Sequence, residues 1–111
     1  MGGFVKGDVV VLNFPFSDLS QTKRRPALVV ATPQGDDVIL CQITSQARTD
    51  AYSILLEQSD FSSGGLNQTS RVRPNRLFTA DEAIVVYRAG RISNDKLSDV
   101  IDRLIVILEQ P

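Results

Sequence analysis

The apolar residues of the chain fall into short runs that polar and turn-forming segments separate. Three of these runs, GDVVVLNF at 7–14, RPALVVAT at 25–32 and DDVILCQI at 36–43, are rich in β-branched residues and predict strands. The PQGD segment at the junction of the second and third runs is typical of a hairpin turn. Hydrophobicity within the runs is continuous rather than alternating, which predicts that both faces of the sheet are buried.

Three later segments complete a set of about six predicted strands. They are YSILLEQ at 52–58, RVRPNRLFTA at 71–80 and AIVVYRAGRI at 83–92. Because proline has no N–H for the strand ladder, Pro74 predicts an edge strand or an irregular one. The polar sequence DFSSGGLNQTS at 60–70 predicts a long connection between strands.

The C-terminal segment changes to a helical period. Ser93 or Asn94 can cap the first turn, where Asp95 suits the positive end of the helix dipole. Asp99 can pair with Arg103 one turn later. Strands followed by one helix predict an α+β fold, a strongly bent antiparallel sheet with the helix packed against it. The apolar residues that recur at intervals of three and four are Leu97, Val100, Ile101, Leu104, Ile105 and Leu108.

The length of 111 residues is that of one domain, so we expect residues 1–111 to form a single unit. Hydrophobic residues make up 42% of the chain and charged residues 23%, a composition that excludes disordered and fibrous classes. No apolar run approaches the roughly 20 residues that span a bilayer, and the N-terminus lacks an export signal. We therefore expect a cytoplasmic protein with no membrane segment.

The sequence contains no histidine and a single cysteine, Cys41. Histidine is the commonest general acid or base and the commonest zinc ligand, so a structural zinc site and histidine-dependent triads are excluded. The glycine fingerprints of nucleotide cofactors are absent as well. We therefore expect neither a metal nor an organic cofactor, and we expect Cys41 to fill the core.

Positive charge is concentrated in short segments, although the net charge of the chain is −1. A locally basic surface on an acidic protein suits a groove that handles a few phosphates better than it suits a long duplex. The cations of these segments are Lys23, Arg24, Arg25, Arg48, Arg71, Arg73 and Arg76.

Two of these arginines, Arg25 and Arg73, immediately precede a proline, which restricts their own backbone to extended conformations. A guanidinium offers planar, paired donors that match phosphate oxygens. Two such side chains on rigid strands can therefore hold a phosphate whose charge grows during a reaction. The alternative is a solvated edge with ordinary ion pairs to Asp18 or Asp50. Charge alone leaves both interpretations open.

Three stretches together carry a resemblance: GDVVVLNFPFSDLSQTKRRPALVV at 7–30, ILCQITSQ at 39–46 and SRVRPNRLFTAD at 70–81. Gly-Asp opens the first strand, Arg-Pro opens the second, and Ile-Thr-Ser lies in the third. With these features the chain resembles the MazF/PemK (Kid) family of bacterial toxin ribonucleases, from Lys6 through the C-terminal helix. The resemblance implies a small SH3-like antiparallel β-barrel of the CcdB/PemK type with a C-terminal α-helix.

The same resemblance implies an activity and partners. It implies a sequence-specific, single-strand endoribonuclease of a type II toxin–antitoxin system, an mRNA interferase. Cleavage in this family needs no metal and leaves a 2′,3′-cyclic phosphate and a 5′-hydroxyl. We therefore expect single-stranded RNA to bind across the interface of a homodimer, and a cognate antitoxin to place its tail in the RNA groove.

Matched position by position, the family pattern assigns catalytic roles to three residues of this chain. Arg25 corresponds to the catalytic arginine before proline, Thr44 to the threonine that ends the third strand, and Arg73 to the arginine of an R-x-D element. Two positions depart from the pattern. Gln21 stands where many members have an acid, so it cannot act as a base, and Asn75 stands at the aspartate of R-x-D.

The nearest loop carboxylate, Asp18, is the candidate proton acceptor, and its alternative role is that of a turn residue. Thr44 and Ser45 have a similar alternative, as ordinary polar residues at the end of a strand. The residues expected to bind the substrate are Asp18, Gln21, Lys23, Arg24, Ser45, Asn75 and Arg76.

Two rival functions belong to other classes. A non-catalytic topoisomerase poison on the same fold, like the gyrase-binding CcdB branch, relies on a C-terminal Trp-Gly-Ile, whereas this chain ends in IVILEQP and has no tryptophan. An SH3-like interaction module needs aromatic side chains to hold peptides, and this chain has five Phe and two Tyr. Incubation of the protein with a long single-stranded RNA separates all three functions.

Overall fold

The continuous apolar runs of the sequence form the central strands of one curled antiparallel sheet. The computed structural model describes residues 3–15, 22–47 and 50–111. Short 3₁₀ turns at Gln58–Asp60 and Glu82–Ile84 precede the fifth and seventh strands. Within the described ranges the elements are β1 (Asp8–Pro15), β2 (Thr22–Ala31), β3 (Asp37–Thr44), β4 (Ile54–Leu56), β5 (Phe61–Gly64), β6 (Ser70–Asp81), β7 (Val85–Ile92) and α1 (Asn94–Leu108).

The order of strands in the sheet is β4-β6-β3-β2-β1-β7-β5, and each neighbouring pair is antiparallel. The predicted hairpin joins β2 to β3, with Gly35 at a φ of 89° in its turn. A curled antiparallel sheet followed by one helix confirms the predicted α+β fold, the small barrel with a C-terminal helix.

Two separate cores cover the two faces of the central strands. The first contains Val9, Leu28 and Cys41, which face each other across β1, β2 and β3 and are closed to solvent. The second contains Val10 and Ala27, one residue along the strands and therefore on the opposite face. Burying one such Val or Leu side chain stabilises the fold by about 1.5–3 kcal/mol. The predicted burial of both faces is confirmed.

The thiol of Cys41 lies inside the first core and is fully buried. Burial raises its pKa to about 12, because the thiolate would lose its hydration. Cys41 therefore remains a protonated thiol at neutral pH and fills the core, as its sequence context predicts.

The helix covers the first core. The Ser93 side chain accepts a hydrogen bond from the Lys96 backbone N–H at 3.2 Å, so Ser93 is the cap. The stripe that contacts the core is narrower than predicted, because Ile105 and Leu108 are 47% and 69% exposed. Among the described residues, no helix has the length and apolar character needed to cross a bilayer. The helical residues packed in or against the first core are Leu97, Val100, Ile101 and Leu104.

The contact predicted for Arg103 is replaced by another. Its guanidinium donates to the backbone carbonyls of Ala51 at 2.7 Å and of Tyr52 at 3.3 Å. Arg103 therefore ties the helix to the segment before β4 and makes no ion pair with Asp99 in the described structure. The predicted one-turn pair was wrong because a backbone carbonyl acceptor lies within reach on the neighbouring segment.

The motif Gly7-Asp8 joins three strands. Gly7 has a φ of 97°, which favours glycine, and its N–H donates to the carbonyl of Val29. The buried Asp8 carboxylate accepts from the Val5 N–H at 2.9 Å and from Arg91 Nε at 2.9 Å. Because Asp8 begins β1 and Arg91 lies in β7, this ion pair fixes the two strands in register.

Both sequence alternatives for Pro74 have a counterpart in the structure. β4 pairs only with Ser70, Arg71 and Val72 of β6, so among the described strands Pro74 has a neighbour, β3, on one side only. The pairing of β6 with β3 passes directly from Arg73–Gln42 to Leu77–Cys41, which leaves residues 74–76 in a bulge. A bulge tolerates Pro74, because a residue there need not donate to the ladder.

One strand, β5, was missed by the sequence analysis, which predicted a connection throughout 60–70. β5 is short and polar, and it pairs with β7 where Gly64 faces Gly90. A Cβ on Gly90 would lie 2.5 Å from the carbonyl oxygen of Ser63, so the backbones approach too closely for a side chain. The Gly65 N–H donates to the Ala89 carbonyl at 3.2 Å, which fixes the start of the loop leading to β6.

We predict that Gly90→Ala lowers the free energy of unfolding by about 1–3 kcal/mol, the usual cost of inserting a methyl group into a packed site. Gly3→Ala is the matched control, because its Cβ would meet only a Glu82 carboxylate oxygen at 3.5 Å. Urea unfolding of the two variants measures the difference. Equal stabilities would contradict the close approach of β5 and β7.

Candidate functional site

The ladder between β2 and β3 stops before either strand ends. Its last pair on one side is Ala27–Gln42. Beyond that pair, Arg25 still pairs with β1 and Thr44 still pairs with β6. The two strands therefore separate at this end of the sheet, and the gap between them opens towards both faces.

Two clefts lie at the gap, and Arg25, Pro26, Ile43 and Thr44 line both of them. The first cleft has a volume of about 270 Å³ and the second about 430 Å³. Neighbouring residues of a strand point to opposite faces, so the clefts occupy opposite faces of the opened sheet.

The first cleft lies on the same face of the sheet as the second core. Gln42 pairs with Ala27 on one side and with Arg73 on the other, so these side chains share that face. Arg25 and Thr44 lie two residues further along their strands and share it as well. The cleft begins where the apolar side chains of this face give way to polar ones. Its other lining residues are Phe14, Pro26, Ile43, Gln46 and Arg76.

The second cleft lies on the same face of the sheet as the first core. Val11 pairs with Pro26 in β2 and with Tyr87 in β7, so the three side chains form one row on that face. The loop between β5 and β6 forms the opposite wall. The other residues that line this cleft and not the first are Lys23, Arg24, Ser45, Leu66, Asn67, Gln68 and Ser70.

The charge that lines the clefts is positive, and none of the described lining residues is an acid. Lys23 and Arg24 are exposed, Arg25 is half-buried, and Arg73 is buried. Screening by salt is weaker for buried charges than for exposed ones, so the inner arginines attract an anion more strongly at physiological ionic strength. A phosphate group is an anion whose oxygens match the paired donors of the two guanidinium groups.

One acid outside the clefts contacts Arg73. The Asp50 carboxylate lies 3.8 Å from Arg73 Nη2, and the Arg73 side chain is only 10% exposed. Asp50 also accepts from the backbone N–H groups of Ser53 at 2.8 Å and Tyr52 at 2.9 Å. These two hydrogen bonds, that from Ser53 first, and the charge of Arg73 lower the pKa of Asp50. The ion pair to Asp50 considered from the sequence is therefore present for Arg73, alongside its place in the cleft.

The hydroxyl of Thr44 has a local contact. Its Oγ1 accepts a hydrogen bond from the Gln46 N–H at 3.1 Å, which closes a tight turn at the end of β3. The strand-end interpretation of Thr44 therefore has a physical basis in the structure. The same turn orients Oγ1 at the junction of the two clefts, so the local contact and a role at the site are compatible.

Seven of the ten predicted site residues line the clefts: Lys23, Arg24, Arg25, Thr44, Ser45, Arg73 and Arg76. Asn75 lies exposed in the β6 bulge and does not line either of them. Asp18 and Gln21 lie outside the described residues, as does Arg48 of the basic segments.

Several lining residues were missed by the sequence analysis. Gln42 and Gln46 interrupt an apolar strand and its end, and an uncharged polar residue in a buried run is a signal that was overlooked. Asn67 and Gln68 were assigned to a connection, and Tyr87 to an ordinary strand. Asn67 and Gln68 approach the cations through the path of the loop between β5 and β6, and Tyr87 through its pairing with Val11, and neither has a signature in the sequence.

The described residues include no group of three or more His, Cys, Asp or Glu side chains placed to hold a metal ion. The chemistry available at the clefts is therefore that of guanidinium, ammonium, hydroxyl and amide groups. These groups bind anions, donate hydrogen bonds and stabilise developing negative charge.

Comparison with known families places these observations in context. Residues 5–108 match the model of a family described as PemK-like, MazF-like toxin of type II toxin–antitoxin systems. A search of curated protein sequences finds no significant match.

Solved structures share the fold at low sequence identity. A MazE–MazF complex from Deinococcus radiodurans is 22% identical, with a TM-score of 0.79 and 100% of each chain covered. MazF from the same organism is 23% identical, with a TM-score of 0.76 over 99% of this chain and 100% of that one. An endoribonuclease bound to its cognate antitoxin from a mycobacterial species is 17% identical, with a TM-score of 0.78 and 98% of each chain covered.

We predict that the pKa of Asp50, measured by ¹³C NMR titration of its carboxyl carbon, lies below its usual value of about 3.9. Arg73→Ala raises this pKa only part of the way back, because the hydrogen bond from Ser53 is the largest cause of the shift. A pKa of Asp50 at or above its usual value in the wild-type protein would contradict the contacts described.

The lowered pKa of Asp50 determines how the stability of the folded chain depends on pH. The ionised form of Asp50 stabilises the folded chain fully above the unfolded-state pKa, and this contribution disappears as the pH falls through the lower folded-state value. Asp50→Asn, which keeps an acceptor for the two N–H groups, serves as the control because it removes the titration.

Proposed function

The chain belongs to the PemK-like, MazF-like toxins of type II toxin–antitoxin systems, as its resemblance implied, and on that premise we propose that it is an endoribonuclease. Its substrate in this proposal is single-stranded RNA, which it cuts at a specific sequence inside the two clefts. The observation that carries the proposal is the convergence of Arg25, Thr44 and Arg73 on the first cleft.

The proposed reaction is a transesterification within the RNA. The ribose 2′-oxygen attacks the adjacent phosphorus, and the bond from phosphorus to the 5′-oxygen of the next nucleotide breaks. The products are a 2′,3′-cyclic phosphate and a 5′-hydroxyl. The 2′-hydroxyl loses its proton to a base, and the leaving oxygen gains one.

The arginines supply the positive charge for this step. Negative charge grows on the non-bridging phosphate oxygens as the fifth bond to phosphorus forms. The guanidinium groups of Arg25 and Arg73 offer paired donors to those oxygens, and their strands hold them in place. No metal is needed in this mechanism, because the two guanidinium groups supply the positive charge that a metal ion would otherwise supply.

The remaining parts of the site bind and orient the RNA. Lys23 and Arg24 hold neighbouring phosphates, Ser45 and Arg76 extend the contact, and Thr44 orients the reacting phosphate. We propose that Asp18 accepts the 2′ proton, with Gln21 and Asn75 as further contacts to RNA. The role of Thr44 comes from the family pattern and those of the cations from the basic segments, and the clefts add the proximity of these lining residues. Asp18 is proposed as the nearest loop carboxylate, because Gln21 and Asn75 depart from the family pattern.

Partners follow from the same proposal. Two of the structural neighbours are complexes of a toxin with its antitoxin. We propose that this chain binds a cognate antitoxin whose tail fills the RNA groove, where the cations among the described lining residues favour an acidic segment. We propose further that the toxin acts as a homodimer in the cytoplasm, with RNA across the subunit interface.

We predict that cleavage of a long single-stranded RNA continues in excess EDTA. A single 2′-deoxy substitution at the cut site abolishes it, because the attacking oxygen is absent. Analysis of the RNA ends gives both results and identifies the cyclic phosphate. Loss of cleavage in the chelator, or cutting of the 2′-deoxy RNA, would exclude the proposed mechanism.

We predict that Arg25→Ala lowers the cleavage rate at saturation by about 10²-fold or more, the usual effect of losing one donor to a developing charge. Its effect on RNA affinity is much smaller. Single-turnover kinetics with saturating enzyme measures the rate, and fluorescence anisotropy measures the affinity. An Arg25→Ala enzyme that cuts as fast as wild type would show that the cluster only binds RNA.

We predict that Lys23→Ala has the opposite pattern of effects on RNA affinity and on the cleavage rate at saturation. Exposed Lys23 contacts phosphate in the ground state, so its loss weakens binding with little effect at saturation and lowers the log–log salt slope of affinity by about 0.7. Lys6→Ala is the matched control, because Lys6 is an exposed lysine beside α1 and away from the clefts. An unchanged salt slope in Lys23→Ala would remove Lys23 from the RNA contact.

A further inference from the structure

The second cleft has a wall that the phosphate chemistry does not use. Lys23, Arg24 and Arg25 line one part of it, and Asn67, Gln68 and Tyr87 line another. The three cations suit a phosphate, whereas the aromatic face and the amide oxygens, which only accept hydrogen bonds, offer a phosphate no contact. The combination of an aromatic face, amide groups and adjacent cations is the set by which proteins hold a nucleotide outside a duplex.

The floor of this cleft is apolar and fixed by the sheet. Val11 pairs with both Pro26 and Tyr87, so the tyrosine stands at one end of a continuous row of side chains. Tyr87 is 51% exposed, although the neighbouring Val11 is only 8% exposed. A large aromatic side chain that stays half in solvent beside an apolar floor offers a face on which a planar ring can stack.

The loop segment that carries the Asn67 and Gln68 amides is held in place by hydrogen bonds to its backbone. Buried Ser70 donates from its hydroxyl to the Gln68 carbonyl at 3.0 Å. At the other end of the loop, the Gly65 N–H donates to the Ala89 carbonyl at 3.2 Å. The segment that carries Asn67 and Gln68 is therefore anchored at both ends, and their side chains are presented from a fixed backbone.

We propose that the second cleft binds one unpaired nucleobase, which stacks on Tyr87 while Asn67 and Gln68 form hydrogen bonds to its edge. The proposal rests on the endoribonuclease function and adds a determinant of its sequence specificity. The phosphate next to this base lies against Arg24 and Arg25, which connects the base to the reacting centre through the residues shared by both clefts.

The amides also indicate which base is preferred. A primary amide offers one donor and one acceptor side by side, and this arrangement complements the adjacent amino group and ring nitrogen of adenine or cytosine. We therefore expect adenine or cytosine at one position of the cleavage sequence. Stacking on Tyr87 strengthens binding of any base, whereas the amides select among bases.

The first test maps cleavage sites on an RNA library with randomised sequence. In the double variant Asn67→Ala/Gln68→Ala, the preference at one position relative to the cut disappears while the preferences at the other positions remain. A preference at every position that equals that of wild type would overturn the role of the amides.

The second test isolates the ring, with 2-aminopurine placed in turn at each position of a cleavable RNA. Tyr87→Ala and Tyr87→Leu restore the fluorescence that stacking quenches at one position and weaken RNA affinity by about 5- to 150-fold, the range for losing one stacked base. Tyr87→Phe keeps the quenching, because it keeps the ring. Tyr52→Ala is the matched control, since the Tyr52 hydroxyl donates instead to Gln110 beyond the end of α1. Quenching that survives in Tyr87→Leu would overturn the proposal.

A third measurement does not depend on cleavage. Titration with 5′-AMP, followed by NMR, shifts the side-chain amide signals of Asn67 and Gln68 and the ring signals of Tyr87, and 5′-UMP shifts them less. If wild type cuts no RNA but these shifts occur, the proposed enzyme activity is wrong and the base site stands. Absence of the shifts, or dissociation of a dimer by Tyr87→Ala, would show that no base binds there or that a second copy covers the cleft.

Discussion

Burial of the central strands on both faces is the constraint on which the rest of the structure depends. β1, β2 and β3 carry one core on each face, and the two cores require the strands to stay paired where they are apolar. Pairing of β2 with β3 ends at Ala27–Gln42, where the second face becomes polar. The separation of the strands beyond this pair creates the two clefts. The apolar pattern thus determines where the arginines meet.

The Arg73 side chain is fixed by contacts on more than one side. The β6 bulge that follows Arg73 interrupts the ladder, and the buried Arg73 side chain lies against Asp50 rather than in solvent. The Asp50 carboxylate is itself fixed by two backbone N–H groups, so the ion pair is preorganised. Preorganised charge stabilises a transition state without rearrangement at the moment of reaction. In the proposed mechanism an incoming phosphate would share Arg73 with Asp50, and Asp50 would thereby moderate the affinity for RNA in the ground state.

Much of the fold could be predicted because its signals are local. Continuous apolar runs indicated the central strands, and a three- and four-residue period indicated the helix. β5 could not be predicted, because its pairing depends on the glycine contact with β7 rather than on its own residues. The bulge at Pro74 was one of two open alternatives, and only the pairing of β6 with β3 and β4 shows the bulge and the open side of the strand there.

The candidate site was predicted in part for a similar reason. Arg25 and Arg73 were recognised from the proline that follows each and from the family pattern, yet their shared face requires the register of four strands. Gln42 lies on that face between its partners Ala27 and Arg73, and this pairing is not visible in its local sequence. Asn67 approaches the cations through a loop whose path no local signal gives, and Tyr87 through the pairing of β7 with β1. Asn75 stands where the family's R-x-D element has aspartate, and the bulge leaves it exposed and outside the clefts.

A crystal structure of the protein with an RNA that carries a 2′-deoxy nucleotide at its cut site would show whether the two arginines hold the reacting phosphate. We predict that the phosphate at that site lies within hydrogen-bond distance of both the Arg25 and Arg73 guanidinium groups, at the junction of the two clefts. An RNA bound elsewhere on the surface, with both guanidinium groups out of reach of the phosphate, would contradict it.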